Sequence, residues 1–173
     1  MTSRRGRLSR REFLRRVGAG AAVALLPRAL VGAAPRETNY GVDVCPYCNM
    51  TIVDLRFTAQ VVTPTGLVLN YDAIECLADH LAGHGPVPPL VEEVYVADRQ
   101  ASTREAAVLL PAAEAVLLHH PRLRTPMGGG LAAFTSKEAA EAFATAQRYT
   151  GAELLGWAEV LERAAMTPWV PDY

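Results

Sequence analysis

Apolar residues in this chain come in short runs that glycine and proline cut off. No stretch of about 20 uncharged apolar residues occurs, so an ordinary membrane span is excluded. Residues 57–62 read as a strand, Thr63-Pro64-Thr65-Gly66 as a turn and 67–71 as the returning strand, which makes a β-hairpin. Asp72 followed by Glu75 predicts a capping box, starting a helix over 73–81 that stops at Gly83. A loop over 83–89 then leads to a strand over 91–97. Ser102 and Glu105 could cap another helix, but Val108-Leu109-Leu110-Pro111 reads as a short strand or turn. Strands follow over 116–119 and 131–134, separated by the loop Arg124-Thr125-Pro126-Met127-Gly128-Gly129-Gly130. Ser136 predicts the start of a helix over 137–149, with Ala139, Ala140, Phe143 and Ala146 on one face and Gly151 past its end. A strand over 153–155, a helix over 157–164 and a loose tail over 165–173 complete the reading. Strand-helix-strand occurs twice, after Met50 and after Met127, which suggests a weak internal duplication. The fold class is α+β: a small mixed sheet from two β-α-β-like units with helices packed on it.

Charge divides the chain at residue 33. The net charge of −1 hides eight arginines and one acid in residues 1–33, against nine basic and seventeen acidic groups in 34–173, that is +7 and −8. A module at −8 repels phosphate backbones, so nucleic acid is not an expected partner. Half of the residues are apolar and a fifth charged, enough to bury a core. Ser9-Arg10-Arg11-Glu12-Phe13-Leu14, followed by a weakly apolar run to Leu26, is the twin-arginine export pattern, and Val31-Gly32-Ala33 offers a cleavage site. Residues 1–33 are therefore expected to be a signal peptide for a periplasmic protein. Residues 34–44 follow as an extended arm and 45–164 as the functional domain.

Cys45-Pro46-Tyr47-Cys48-Asn49-Met50 is the most informative segment. A C-x-x-C pair brings two thiols within reach of one metal ion or of each other, so spacing alone leaves a metal site, a redox pair and a structural disulfide open. If 48–50 is extended, Cys48 and Met50 point to one face, and thiolate and thioether converge. A thioether is a soft neutral donor that favours Cu(I) over Zn(II); the plainer alternative is that Met50 packs in the core. Met127 lies in a Pro-Met-Gly-Gly-Gly loop, where glycines allow the backbone to fold closely over a small site. Cys76, one turn into the first helix beside Ile74 and Leu77, reads first as a buried, inert thiol, with a third metal ligand or a disulfide partner as the alternatives. His80 and His84 have a helical metal spacing that Gly83 and Gly85 interrupt, and His119 and His120 point to opposite faces of a strand.

Three segments in this order, Cys45 to Met50, Tyr71-Asp72-Ala73-Ile74-Glu75-Cys76-Leu77, and Thr125-Pro126-Met127-Gly128-Gly129-Gly130 before Ala133-Phe134, resemble the NosL family. These are periplasmic copper-binding accessory proteins of nitrous oxide reductase maturation in denitrification. The resemblance covers residues 41–163. It implies an α+β fold akin to the non-catalytic part of organomercurial lyase, Cu(I) as cargo, and delivery to nitrous oxide reductase through its ABC-type maturation complex, with no substrate turned over. The family's Cys-Gly-Met falls on Cys48-Asn49-Met50 and its Pro-Met-Gly on Pro126-Met127-Gly128, so the implied metal residues are Cys45, Cys48, Met50 and Met127. The chain departs from the family in two places: Asn49 stands for the usual Gly, and a twin-arginine leader replaces the common lipoprotein signal. Cys45-Pro46-Tyr47-Cys48 is also a glutaredoxin-type dithiol, which makes a periplasmic thiol-disulfide oxidoreductase the competing expectation. Against it, no buried strand precedes Cys45 and no helix pattern starts there.

Overall fold

The structure, a computed structural model, describes residues 35–171. The expected leader over 1–33 lies outside them. β1 (Ala59–Val62) and β2 (Val68–Tyr71) form the expected hairpin, paired from Ala59↔Tyr71 to Val62↔Val68. Thr63 closes its turn by donating its amide to the Leu67 carbonyl (2.9 Å) and accepting the Leu67 amide on its hydroxyl (3.0 Å). Helix α1 (Ile74–Leu81) follows, then β3 (Glu93–Ala97), which returns to pair with β1, and β4 (Leu109–Pro111) beyond it. One turn of 3-10 helix at Ala112–Glu114 leads to β5 (Val116–His119), β6 (Leu131–Phe134), α2 (Lys137–Ala146), β7 (Glu153–Leu155) and α3 (Trp157–Met166).

The strands do not share one mixed sheet. They form two antiparallel sheets, ordered β2-β1-β3-β4 and β6-β5-β7, and a single parallel bridge between Asp98 and Ala133 links them. Both halves run strand, strand, helix, strand, and in both the first strand lies between the second and the third. The duplication is therefore visible in topology. What differs is the first connection: residues 63–67 make a tight turn, whereas 120–130 make the long loop that holds Met127.

Period-two alternation sorts the core. In β5 and β6, Leu117, Leu131 and Ala133 face the main cluster with Val61, Val96, Ile74, Leu77 and Val160, while Leu118, Ala132 and Phe134 face a smaller cluster with Phe57 and Ala140. Each large aliphatic so buried contributes about 1.5–3 kcal/mol. Helix α1 lies between the two sheets' contributions, packed on β1, β2, β6 and α3.

Helix ends follow local chemistry with two corrections. Ser136 caps α2 by accepting the Ala139 amide (3.2 Å), as expected. The helix stops at Ala146 and not at 149, because Arg148 takes φ +56 and the amides of Arg148 and Tyr149 turn back to Thr145 and Ala144. That is the same closure Gly83 gives α1, where Gly83 and His84 donate to His80 and Asp79. The expected capping box of α1 does not form. Its N-cap is Ala73, without a side-chain bond, and Glu75 turns inward. The tail expected to be loose is pinned in part: the amides of Trp169 and Val170 both donate to the Asp79 carboxylate (2.8 Å each), and the Trp169 indole N–H donates to the Val160 carbonyl (3.0 Å).

Candidate metal centre

Cys45 and Cys48 sit at the tip of a miniature hairpin. Gly41 donates to the Ile52 carbonyl, Ile52 to Asp43 and Cys45 to Met50, each at 2.9 Å, and Val44 faces Thr51 across the pair. Alternation buries Cys45 and Ile52 and exposes Val44, Thr51 and Val53. The tip closes when the Asn49 amide donates to the Cys45 carbonyl (2.9 Å) with Asn49 at φ +59. Asparagine is among the residues that best tolerate this left-handed conformation, so Asn49 fills a glycine's place without distorting the loop. The two cysteines are thus on a turn between extended segments and not at the start of a helix.

Helix α1 brings the third thiol. The sulfurs of Cys45, Cys48 and Cys76 lie within 4.8 Å of one another, with Cys45 and Cys76 buried and Cys48 half-buried. All three cysteines are free. For Cys76 the structure favours the ligand alternative over the inert thiol, because the first turn of α1 folds against the hairpin tip, which sequence spacing does not reveal. Protons are shared unequally. Donation from the Cys48 thiol, and then from the Cys76 thiol, holds Cys45 far below the usual thiol range, and the amides of Asp72 and Cys48 also point at its sulfur. Cys48 is pushed up because it donates to Cys45, and Cys76 because it donates to both. Three sulfurs this close, with two backbone amides directed at one of them, make a site that suits a soft cation, which would displace the thiol protons. Asp72 is pushed up to about 7, by burial first and then by the charge on Cys45.

The methionines part company. Met127 is 4% exposed and belongs to the same apolar cluster as Cys45 and Cys76, so its loop does deliver it to the interior. Met50 is 50% exposed. The convergence expected of Cys48 and Met50 required an extended 48–50, and the left-handed Asn49 removes that premise. The Met50 backbone serves the site all the same: its carbonyl accepts the Cys45 amide, and its amide points at the Cys48 sulfur.

Three histidines are committed elsewhere. His80 donates from Nε2 to the Val87 carbonyl (3.1 Å) and accepts the Tyr71 hydroxyl on Nδ1 (3.0 Å). His84 donates to the Ala164 carbonyl (2.8 Å). His120 donates to the Thr150 carbonyl (3.2 Å) and accepts the Arg122 amide (3.1 Å). His119 packs edge-on against Trp169, ring centres 5.0 Å apart. Sulfur is therefore the donor chemistry gathered at this centre.

The NosL family model matches residues 39–165, most of the chain. Among solved structures, the chain is similar to the copper chaperone NosL from Shewanella denitrificans, with a TM-score of 0.58 and 24% identity, over 72% of this chain and 93% of that one. No curated protein matches significantly.

Proposed function

The chain belongs to the NosL family, and from that premise we propose that it is a copper carrier: a periplasmic, non-enzymatic chaperone that holds Cu(I) and hands it on for assembly of the copper centres of nitrous oxide reductase. The single observation that carries this reading is the cluster of three thiols within 4.8 Å, two of them buried. In this reading Cys45, Cys48 and Cys76 provide the thiolate sulfurs and the buried Met127 a thioether beside them. Met50, half-exposed next to Cys48, is the thioether that meets an incoming acceptor. Thioethers bind Cu(I) far better than Zn(II), and a sulfur site of low coordination lets an acceptor's ligand enter before a donor's leaves. The structural neighbour's description as a copper chaperone supports the same cargo.

The acceptor side of the proposal is the reductase with its ABC-type maturation complex, reached after export by the twin-arginine route. Among the described residues no helix is long and apolar enough to cross a membrane. The excess of acidic groups in 34–173 would steer the carrier toward a basic docking face. An anaerobic competition titration with a Cu(I) chelator, repeated with Zn(II), tests the cargo. About one Cu(I) per chain, bound in preference to Zn(II) and lost in Cys48→Ser, is expected. Equal or tighter zinc binding contradicts the proposal.

A further inference from the structure

Glu75 is fully buried on α1, one residue before Cys76. Its Oε1 accepts the Thr125 hydroxyl at 2.6 Å and the Leu131 amide at 3.0 Å. Those two donors bracket Met127, at the two ends of the 125–131 segment that forms the second half of its loop. The Thr125 hydroxyl oxygen accepts the Gly130 amide (3.2 Å), closing the loop on itself. Between them Gly129 lies directly on the Glu75 stem: a Cβ there would fall 2.3 Å from Glu75 Cγ. The other carboxyl oxygen, Oε2, is buried with no hydrogen-bond partner among the described residues. Leaving such an atom unpaired is unfavourable, and an apolar side chain would fill this position on α1 at lower cost. Stability of the helix therefore does not account for a carboxyl here. What the carboxyl does is join both ends of the methionine loop to the turn of helix that carries Cys76.

We propose that Glu75 is a positioning residue of the metal site, locking the 125–131 loop to α1 so that Met127 and Cys76 keep a fixed separation. This rests on Met127 and Cys76 being copper ligands. Partners that orient metal ligands in this way are worth about 10–100-fold in metal affinity. Gly129 belongs to the same device, because only a residue without a side chain lets the loop lie flat on the Glu75 stem.

The test is a double-mutant cycle of Glu75→Ala and Met127→Leu on the mature protein, read by anaerobic Cu(I) competition and by X-ray absorption of the copper-loaded forms. Glu75→Ala is expected to weaken Cu(I) binding by about 10–100-fold and to remove one sulfur neighbour from copper, as Met127→Leu does. The double variant should then be no weaker than the weaker single variant. Glu75→Gln, whose amide oxygen can accept both bonds, should keep the wild-type sulfur count. Additive losses, or a wild-type sulfur count in Glu75→Ala, overturn the positioning role. A Met127→Leu protein with unchanged affinity and sulfur count overturns the ligand assignment on which the role rests, and the two failures are distinct. Should Glu75→Ala fail to fold, Thr125→Val removes one of the two bonds and leaves the carboxyl in place. It should show a smaller loss in the same direction, and wild-type affinity there also overturns the proposal.

Discussion

Replacing Gly129 by alanine tests the close approach of loop, helix and tail around Glu75. The added Cβ would lie 2.3 Å from Glu75 Cγ, 3.1 Å from Glu75 Cβ and 2.8 Å from the Trp169 carbonyl oxygen. Ordinary carbon contacts are about 3.5–4.0 Å, so the overlap with the Glu75 stem exceeds about 1 Å, and the Trp169 carbonyl oxygen crowds the same Cβ. Backbone conformation contributes nothing, because Gly129 is outside the left-handed region. Overpacking of this kind costs about 1–3 kcal/mol, which for a domain of this size lowers Tm by roughly 4 °C per kcal/mol. Gly128→Ala is the control. Gly128 has φ +78 and an open side, with Pro171 Cγ at 3.9 Å, so its penalty of about 1–2 kcal/mol is backbone strain alone. Thermal unfolding of both variants, alone and combined with Glu75→Ala, separates the causes. Glu75→Ala removes the crowding Cγ and leaves the contacts to Cβ and to the Trp169 carbonyl, so it should relieve Gly129→Ala in part and leave Gly128→Ala unrelieved. Additive penalties for Gly129→Ala and Glu75→Ala would refute the reasoning.

Three further outcomes follow from the same contacts. Burial pushes the Glu75 carboxyl up, so its neutral form supports the fold below the unfolded value of about 4.3, and that support is lost as pH rises through the folded value. The Tm of the apo protein should therefore fall with rising pH relative to Glu75→Gln, and parallel curves would contradict the assignment. Asp79→Ala removes the acceptor of the Trp169 and Val170 amides. It should cost about 1.5–3 kcal/mol and release the tail, seen as a shift in tryptophan fluorescence and faster cleavage beyond Met166, whereas an unchanged tail would show that other contacts hold it. Met127→Leu conserves apolar bulk at a buried site, so stability should stay within about 1.5 kcal/mol while Cu(I) affinity falls; unchanged affinity would make Met127 a core residue only.

Local patterns carried most of the fold into the sequence. The hairpin around Thr63–Gly66, the Ser136 cap and the Gly83 stop are each written in a few adjacent residues, and the structure has them. Tertiary preferences overrode local ones elsewhere. Glu75 had the spacing of a capping residue, but Thr125 and Leu131, 50 and 56 positions away, took its carboxyl instead. The tail looked loose because nothing in its own composition announces that Asp79 will accept its amides. At the centre, Cys45 and Cys48 were legible as a pair from spacing. Cys76 was not, because its approach depends on how α1 folds against the 41–52 hairpin. Asn49 illustrates a third kind of limit: the reading of 48–50 as extended assumed ordinary φ values, and one left-handed residue redirected Met50.

The central claim, that copper is held by sulfur alone at the Cys45, Cys48 and Cys76 cluster, is tested most directly by X-ray absorption of the wild-type mature protein loaded anaerobically with one equivalent of Cu(I). The account predicts a shell of sulfur neighbours only, reduced in Cys76→Ser. A shell containing histidine nitrogen, or one that Cys76→Ser leaves intact, would contradict it.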